Sequence, residues 1–156
     1  MKTKKIVIMG NGKIGKAILH LLNKNKIKLN YSIDVYDKDE SKNMNTKNLQ
    51  EYLIDADFIF LCIPSWCTKE ALSQIKPHIK TKTILISVAK GIDASSKQSI
   101  DKLIETQFKR NQYALLSGPM FAVEIMENEM SFAVLASKNK KVFDEISKLF
   151  SDTKLK

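Results

Sequence analysis

A glycine-rich turn near the start of the chain has the spacing of a phosphate-binding turn. Residues 10–15, Gly10-Asn11-Gly12-Lys13-Ile14-Gly15, fit the pattern G-x-G-x-x-G between an apolar run and an amphipathic stretch. In that setting the first glycine permits a tight turn, the second lets the backbone approach a pyrophosphate, and the third lets helix and strand pack closely. The N–H groups at the start of the helix face the phosphates. The motif predicts dinucleotide binding at all six positions; a turn without a ligand is the alternative.

An acidic residue follows at the position where such a turn places the ribose. Asp37 lies 22 residues after Gly15, at the end of the second apolar run. A carboxylate there accepts hydrogen bonds from the adenosine ribose and repels a 2′-phosphate. NAD is therefore the predicted cofactor, although Lys38 can accommodate the extra phosphate of NADP. The alternative is that Asp37 only begins a polar turn.

Short apolar runs alternate with amphipathic stretches along the whole chain. The apolar runs predict strands at residues 5–9, 31–36, 57–62, 83–87, 113–116 and 131–136. Apolar residues at helical spacing predict helices at residues 14–22, 47–53, 65–79, 96–108 and 140–150, the third of them capped by Ser65 or Thr68. This order predicts an α/β fold, a doubly wound, mainly parallel Rossmann-type sheet with helices on both faces, in a single dinucleotide-binding domain over residues 1–156.

Composition and charge argue against several classes of protein. The 156 residues carry 26 Lys+Arg against 17 Asp+Glu, a formal net charge of +9. Arg110 is the only arginine and no aromatic residues interleave the lysines, so nucleic-acid binding is a weak alternative. No apolar run approaches the ~20 residues of a membrane span. Two cysteines, Cys62 and Cys67, are too few for a disulfide scaffold and wrongly spaced for zinc, so we expect a cytoplasmic protein without a metal.

Three later segments narrow the prediction. Pro64-Ser65-Trp66 follows the third predicted strand, Val88-Ala89-Lys90-Gly91-Ile92 the fourth, and Ser117-Gly118-Pro119-Met120-Phe121-Ala122 the fifth. With residues 10–15, and in this order, they closely resemble the N-terminal half of NAD(P)-dependent glycerol-3-phosphate dehydrogenase. The resemblance spans essentially the whole chain. It implies hydride exchange at C2 between sn-glycerol 3-phosphate and dihydroxyacetone phosphate, with a nicotinamide as the hydride carrier.

The resemblance also implies roles for individual residues. Lys90 matches a lysine near both cofactor and substrate, where an ammonium group polarises the C2 oxygen. The alternative interpretation of Lys90 is an ordinary surface lysine. The alternative interpretation of Trp66 is a side chain that only covers the core. The cofactor positions are Lys13, Ile14, Pro64, Ser65, Trp66, Lys90 and Ala122, and the substrate positions are Lys90, Gly118 and Met120.

The chain departs from the family in three respects. Family members continue into an all-helical domain that supplies a catalytic lysine and grips the substrate phosphate, and we expect this chain to lack that domain. The segment 40–54 is shorter than in the family, and Met120 stands where a serine or threonine is usual. We therefore expect weak or no activity unless a separate helical domain or a homo-oligomer completes the site. A non-catalytic or degenerate NAD-binding module is the alternative.

Overall fold

A six-stranded sheet runs through the computed structural model, which describes residues 3–25, 30–43 and 47–156. The strands are β1 (Lys4–Met9), β2 (Tyr31–Tyr36), β3 (Phe58–Leu61), β4 (Ile84–Ser87), β5 (Tyr113–Ser117) and β6 (Val134–Ala136). Their order across the sheet is β2-β1-β3-β4-β5-β6. All neighbouring pairs are parallel except β5 and β6, which are antiparallel. The predicted α/β class and its mainly parallel Rossmann-type sheet are confirmed.

Helices cover both faces of this sheet, as predicted. They are α1 (Lys13–Asn25), α2 (Leu49–Leu53), α3 (Ser65–Ile75), α4 (Ile100–Gln107), α5 (Ala122–Met126) and α6 (Lys140–Leu149), with short 3₁₀ helices at Glu40–Lys42 and Lys76–His78. One apolar core packs α1, α5 and α6 on the sheet, and a second packs α2, α3 and α4 on its other face. Alternate residues of β1 enter the two cores, so this strand is buried on both sides. Over the described ranges, no helix is both long and apolar enough to cross a membrane.

The segment after β4 corrects the predicted start of α4. The helix begins at Ile100, not at Ser96, because Asp93 holds the preceding residues in a turn. One carboxylate oxygen of Asp93 accepts hydrogen bonds from the Ser95 hydroxyl at 2.6 Å and from the backbone and hydroxyl of Ser96, each at 2.7 Å. These side chains give the backbone an alternative to the helix. They order residues 93–96, three residues after Lys90.

The start of α3 corrects the predicted cap. Neither Ser65 nor Thr68 caps this helix, because Pro64 occupies the capping position. The Thr68 hydroxyl instead donates to the Pro64 carbonyl oxygen at 3.3 Å. The α-helix ends at Ile75 and a single 3₁₀ turn continues to His78, because Pro77 has no N–H to extend the helical pattern.

The last predicted strand is shorter than its apolar pattern. Only Val134–Ala136 pair with β5, whereas Ser131 and Ala133 pair with the C-terminal residues. The Ala133 N–H donates to the Lys156 carbonyl at 2.7 Å, and the Lys156 N–H donates to the Ser131 carbonyl at 2.8 Å. Residues 154–156 therefore extend the same edge of the domain alongside residues 131–133.

Candidate active site

The glycine turn joins β1 to α1 at the carboxyl end of the parallel strands. Gly10 has a φ of 101°, and a Cβ built on it would lie 2.4 Å from the Cys62 carbonyl oxygen. A Cβ on Gly15 would lie 1.9 Å from the Gly10 carbonyl oxygen, whereas a Cβ on Gly12 meets nothing within 4 Å. The outer glycines are therefore required for packing within the turn. Gly12 borders open space, which is where the sequence pattern places a pyrophosphate.

The Asp37 carboxylate ties the end of β2 to this turn. It accepts hydrogen bonds from the backbone N–H of Asn11 at 2.7 Å and of Asp39 at 2.9 Å. The Asn43 side chain accepts a hydrogen bond from the Asp37 N–H and donates one to the Asp37 carbonyl oxygen. The Asn11 side chain donates to the Lys42 carbonyl at 2.6 Å. A carboxylate offers about four acceptor positions, so the oxygens keep capacity for a ribose. Asp37 thus orders the turn, a role that sequence reasoning missed.

Two cavities meet beside Gly12. The smaller one, of about 270 Å³, extends along the end of β2 toward α3, and the larger one, of about 540 Å³, extends toward the ends of β4 and β5. Both are lined by Gly12 and by residues 62–64, at the carboxyl ends of β1 and β3. Ligands of open α/β sheets bind at this end of the strands. The two cavities share these four lining residues and together make up the groove at the carboxyl edge of the sheet.

The predicted site residues divide between these cavities. On the smaller cavity lie Gly10, Gly12, Asp37, Lys38 and Pro64. On the larger cavity lie Gly12, Lys13, Ile14, Pro64, Ser65, Trp66, Lys90, Met120 and Ala122. Neither cavity is lined by Asn11, Gly15 or Gly118. Each of them contacts a residue that lines one of the cavities: Asn11 donates to Asp37, Gly15 packs on Gly10, and Gly118 accepts from Lys90.

Lys90 occupies the larger cavity next to the loop that follows β5. Its ammonium group donates to the Gly118 carbonyl oxygen at 2.8 Å. Gly118 has a φ of 113°, and a Cβ there would lie 3.3 Å from the Ala133 Cα atom, so this loop packs directly on the segment before β6. Met120 is buried, with 7% of its surface exposed, and packs in the apolar core. Trp66 lies on the rim with 72% exposed.

Sequence reasoning also missed part of the wall formed by α3. Glu70 and Gln74 line the smaller cavity, and the Lys38 ammonium group lies 3.0 Å from a carboxylate oxygen of Glu70. The hydrogen bond to Glu70 and the charge of that carboxylate raise the pKa of Lys38. The deep end of the groove is apolar, and burial raises the pKa of the Cys62 thiol, which keeps it protonated and unreactive. Over the described residues, no group of three His, Cys, Asp or Glu side chains is placed to hold a metal ion.

Comparison with known proteins identifies the family. A model of the family described as "NAD-dependent glycerol-3-phosphate dehydrogenase N-terminus" matches residues 42–143, about two thirds of the chain. The chain belongs to this family. Its relatives include the glycerol-3-phosphate dehydrogenases [NAD(P)+] of Neorickettsia sennetsu, 30% identical over 93% of this chain and 48% of that protein, and of Clostridium tetani, 27% identical over 100% and 50%. These matches confirm the predicted family and its class of cofactor, a nicotinamide dinucleotide.

Solved structures share the fold. The glycerol-3-phosphate dehydrogenase of Coxiella burnetii superposes with a TM-score of 0.85 at 19% identity, over 99% of this chain and 53% of that one. The Plasmodium falciparum enzyme gives a TM-score of 0.85 at 21% identity, over 99% and 51%. The chain spans about half the length of the curated relatives it matches, and the matched part is their N-terminal, dinucleotide-binding region.

Proposed function

We propose that this chain is the NAD(H)-binding half of a glycerol-3-phosphate dehydrogenase. The observation that carries the proposal is the junction of the two cavities at Gly12, with Asp37 on one side and Lys90 on the other. A dinucleotide has the same layout, two nucleosides joined by a pyrophosphate. The adenosine would lie beside Asp37, the pyrophosphate over Gly12, and the nicotinamide in the larger cavity.

The residues around the groove fit such a ligand. A missing side chain at Gly12 leaves room for the pyrophosphate, and the first N–H groups of α1 have no partner within the helix. The positive end of the α1 dipole and the adjacent Lys13 favour an anion at this point. When bound, the nicotinamide supplies the hydride exchange at C2 of glycerol 3-phosphate or dihydroxyacetone phosphate.

Lys90 is the residue of this chain that we assign to the substrate. One N–H of its ammonium group is held by the Gly118 carbonyl oxygen, and two further N–H donors can point into the cavity. A cation placed there stabilises the negative charge that develops on the C2 oxygen. The contact with the Gly118 carbonyl oxygen positions the ammonium group, and the Asp93 turn orders the chain three residues after Lys90.

An exposed apolar surface lies next to this cavity and supports the proposal of a second half. We define this surface by Phe121, Val123, Met126, Met130, Phe132 and Val134, all of them largely exposed. The carbonyl of Lys156 accepts a hydrogen bond from Ala133, between two of these residues, so chain continuing beyond Lys156 would start beside the surface. We propose that a helical half, of the kind the relatives' length leaves room for, covers this surface and supplies the groups that hold the substrate phosphate.

Binding and turnover test the proposal separately. Trp66 is the only tryptophan and lies on the rim of the larger cavity, so energy transfer from Trp66 to added NADH reports one site. We expect saturable transfer that survives moderate salt. The chain is then mixed with the separately produced C-terminal half of the Neorickettsia sennetsu relative and assayed with dihydroxyacetone phosphate and NADH. Turnover that disappears in Lys90→Met, with NADH affinity reduced far less than turnover, is the expected result.

The other outcomes have distinct meanings. Absence of transfer together with absence of calorimetric binding would refute the dinucleotide site. Binding without turnover in any mixture would instead favour a non-catalytic module, which one observation supports: Met120 is buried in the apolar core and presents no hydroxyl where the family usually has one. Sedimentation of the chain alone tests whether a second copy covers the apolar surface. A cytoplasmic location stays a prediction.

A further inference from the structure

A polar network closes one wall of the smaller cavity. The Lys38 ammonium group lies 3.0 Å from an Oε1 atom of Glu70, and the side-chain N–H of Gln74 donates to the same oxygen at 3.1 Å. All three side chains line the cavity together with Asp37. Gln74 lies one helical turn after Glu70 on α3, so it orients the carboxylate from within the helix. The network links the loop after β2 to α3 across the cavity.

The charges of this wall bear on the cofactor. Asp37, Lys38 and Glu70 are the lining side chains that carry charge at neutral pH, and their sum is negative. A 2′-phosphate next to an Asp37-bound ribose would need a cation, and Lys38 is the adjacent one. Glu70 forms an ion pair with Lys38, and its negative charge also repels a 2′-phosphate. The nearest other lysine in the same loop, Lys42, is paired with Asp39 at 2.9 Å.

We propose that Glu70 is a specificity-determining residue that makes this site prefer NAD(H) to NADP(H) by forming an ion pair with Lys38. This inference rests on the proposed function, because it concerns the same dinucleotide groove. Glu70 acts partly through Lys38 and is a positioning residue in that respect. The hydrogen bond to Glu70 and the charge of its carboxylate raise the pKa of Lys38, the direction expected for this pair.

The Glu70→Gln variant tests the inference. It keeps the side-chain size and the contact with Gln74 but removes the charge that holds Lys38. An exposed ion pair changes an equilibrium by up to about fivefold, and the loss of repulsion adds to it. We expect NADPH to bind about 3- to 10-fold more tightly, with NADH affinity changed less than about twofold. The measurement is calorimetric titration of each variant with both dinucleotides.

Two further variants make the result specific. Asp144→Asn removes one carboxylate and one exposed lysine pair on α6, a helix that contributes no residue to the cavity, and should leave the NADPH to NADH affinity ratio unchanged. Adding Lys38→Met to Glu70→Gln should cancel the gain in NADPH affinity. A ratio in Glu70→Gln equal to that of the unmodified chain overturns the inference, and a gain that persists in the double variant overturns the part assigned to Lys38. If NADH fails to bind the unmodified chain, the proposed function fails instead.

Discussion

Replacing Gly12 by aspartate separates stability of the fold from binding. A Cβ at this position meets nothing within 4 Å, and the residue directly precedes α1. Aspartate is among the best residues at the start of a helix, both as a cap and as a charge beside the positive dipole end. We therefore expect the free energy of unfolding of Gly12→Asp to stay within about 1 kcal/mol of the unmodified value.

The same substitution should weaken NADH binding strongly. A carboxylate about 4 Å from one phosphate charge costs about 1 kcal/mol in water and about 4 kcal/mol in a partly shielded site. A pyrophosphate carries two such charges, so the loss is at least about 2 kcal/mol. At ~1.4 kcal/mol per factor of ten, NADH affinity should fall by at least about 30-fold.

Calorimetric titration with NADH at two salt concentrations measures the effect. Gly12→Asn is the matched control, because it has the same shape without the charge and should lose less affinity. The difference between the two variants should shrink at high salt, since ions screen exposed charges. A folded Gly12→Asp protein that binds NADH within about twofold of the unmodified chain would show that the phosphates lie elsewhere.

Three other substitutions have defined outcomes. Gly15→Ala should destabilise the fold by about 3 kcal/mol in urea unfolding, because its Cβ would overlap the Gly10 carbonyl oxygen; an unchanged midpoint contradicts the packing argument. Asp37→Ala should weaken NADH about 10-fold in the same titration, because both the ribose and the Asn11 N–H lose a charged acceptor; unchanged affinity excludes the ribose contact. Hydrogen bonds from Ser95 and, to a smaller extent, from Ser96 lower the pKa of Asp93 to about 2. Its stabilisation is therefore complete above pH 4 and lost as the pH falls toward 2, so the stability difference from Asp93→Asn should shrink over that window, and a constant difference refutes the assignment.

The sequence predicts the elements that carry the glycine turn because their signals are local. β1 is a continuous apolar run ended by Gly10, and β2 is observed at the predicted residues, Tyr31–Tyr36. By contrast, α4 begins later than its apolar spacing indicates, since the Asp93 hydrogen bonds compete with the helix. The five residues of α5 are too few to show a helical period.

Only those groove residues that belong to a recognisable sequence motif could be predicted from the sequence. Gly12 and Lys90 follow from patterns at the ends of strands, and both lie on the observed cavities. Glu70 was missed because its partner, Lys38, is 32 residues away in sequence. On α3 alone, a glutamate four residues before Gln74 is typical of a solvated helix face. Only the sheet order, which places β2 and β3 on either side of β1, brings these segments to the same cavity.

Lys4 and Lys156 lie at opposite ends of the parallel strands, and this decides how the protein should be handled. Lys4 begins β1 at the amino end of the parallel strands, away from the groove, whereas Lys156 pairs with Ser131 beside the exposed apolar surface. An affinity tag or surface linkage at the N-terminus leaves the groove and its neighbouring surface accessible. The same tag after Lys156 would crowd that surface, so binding and self-association measured on C-terminally tagged protein would report on the tag as well as on the domain.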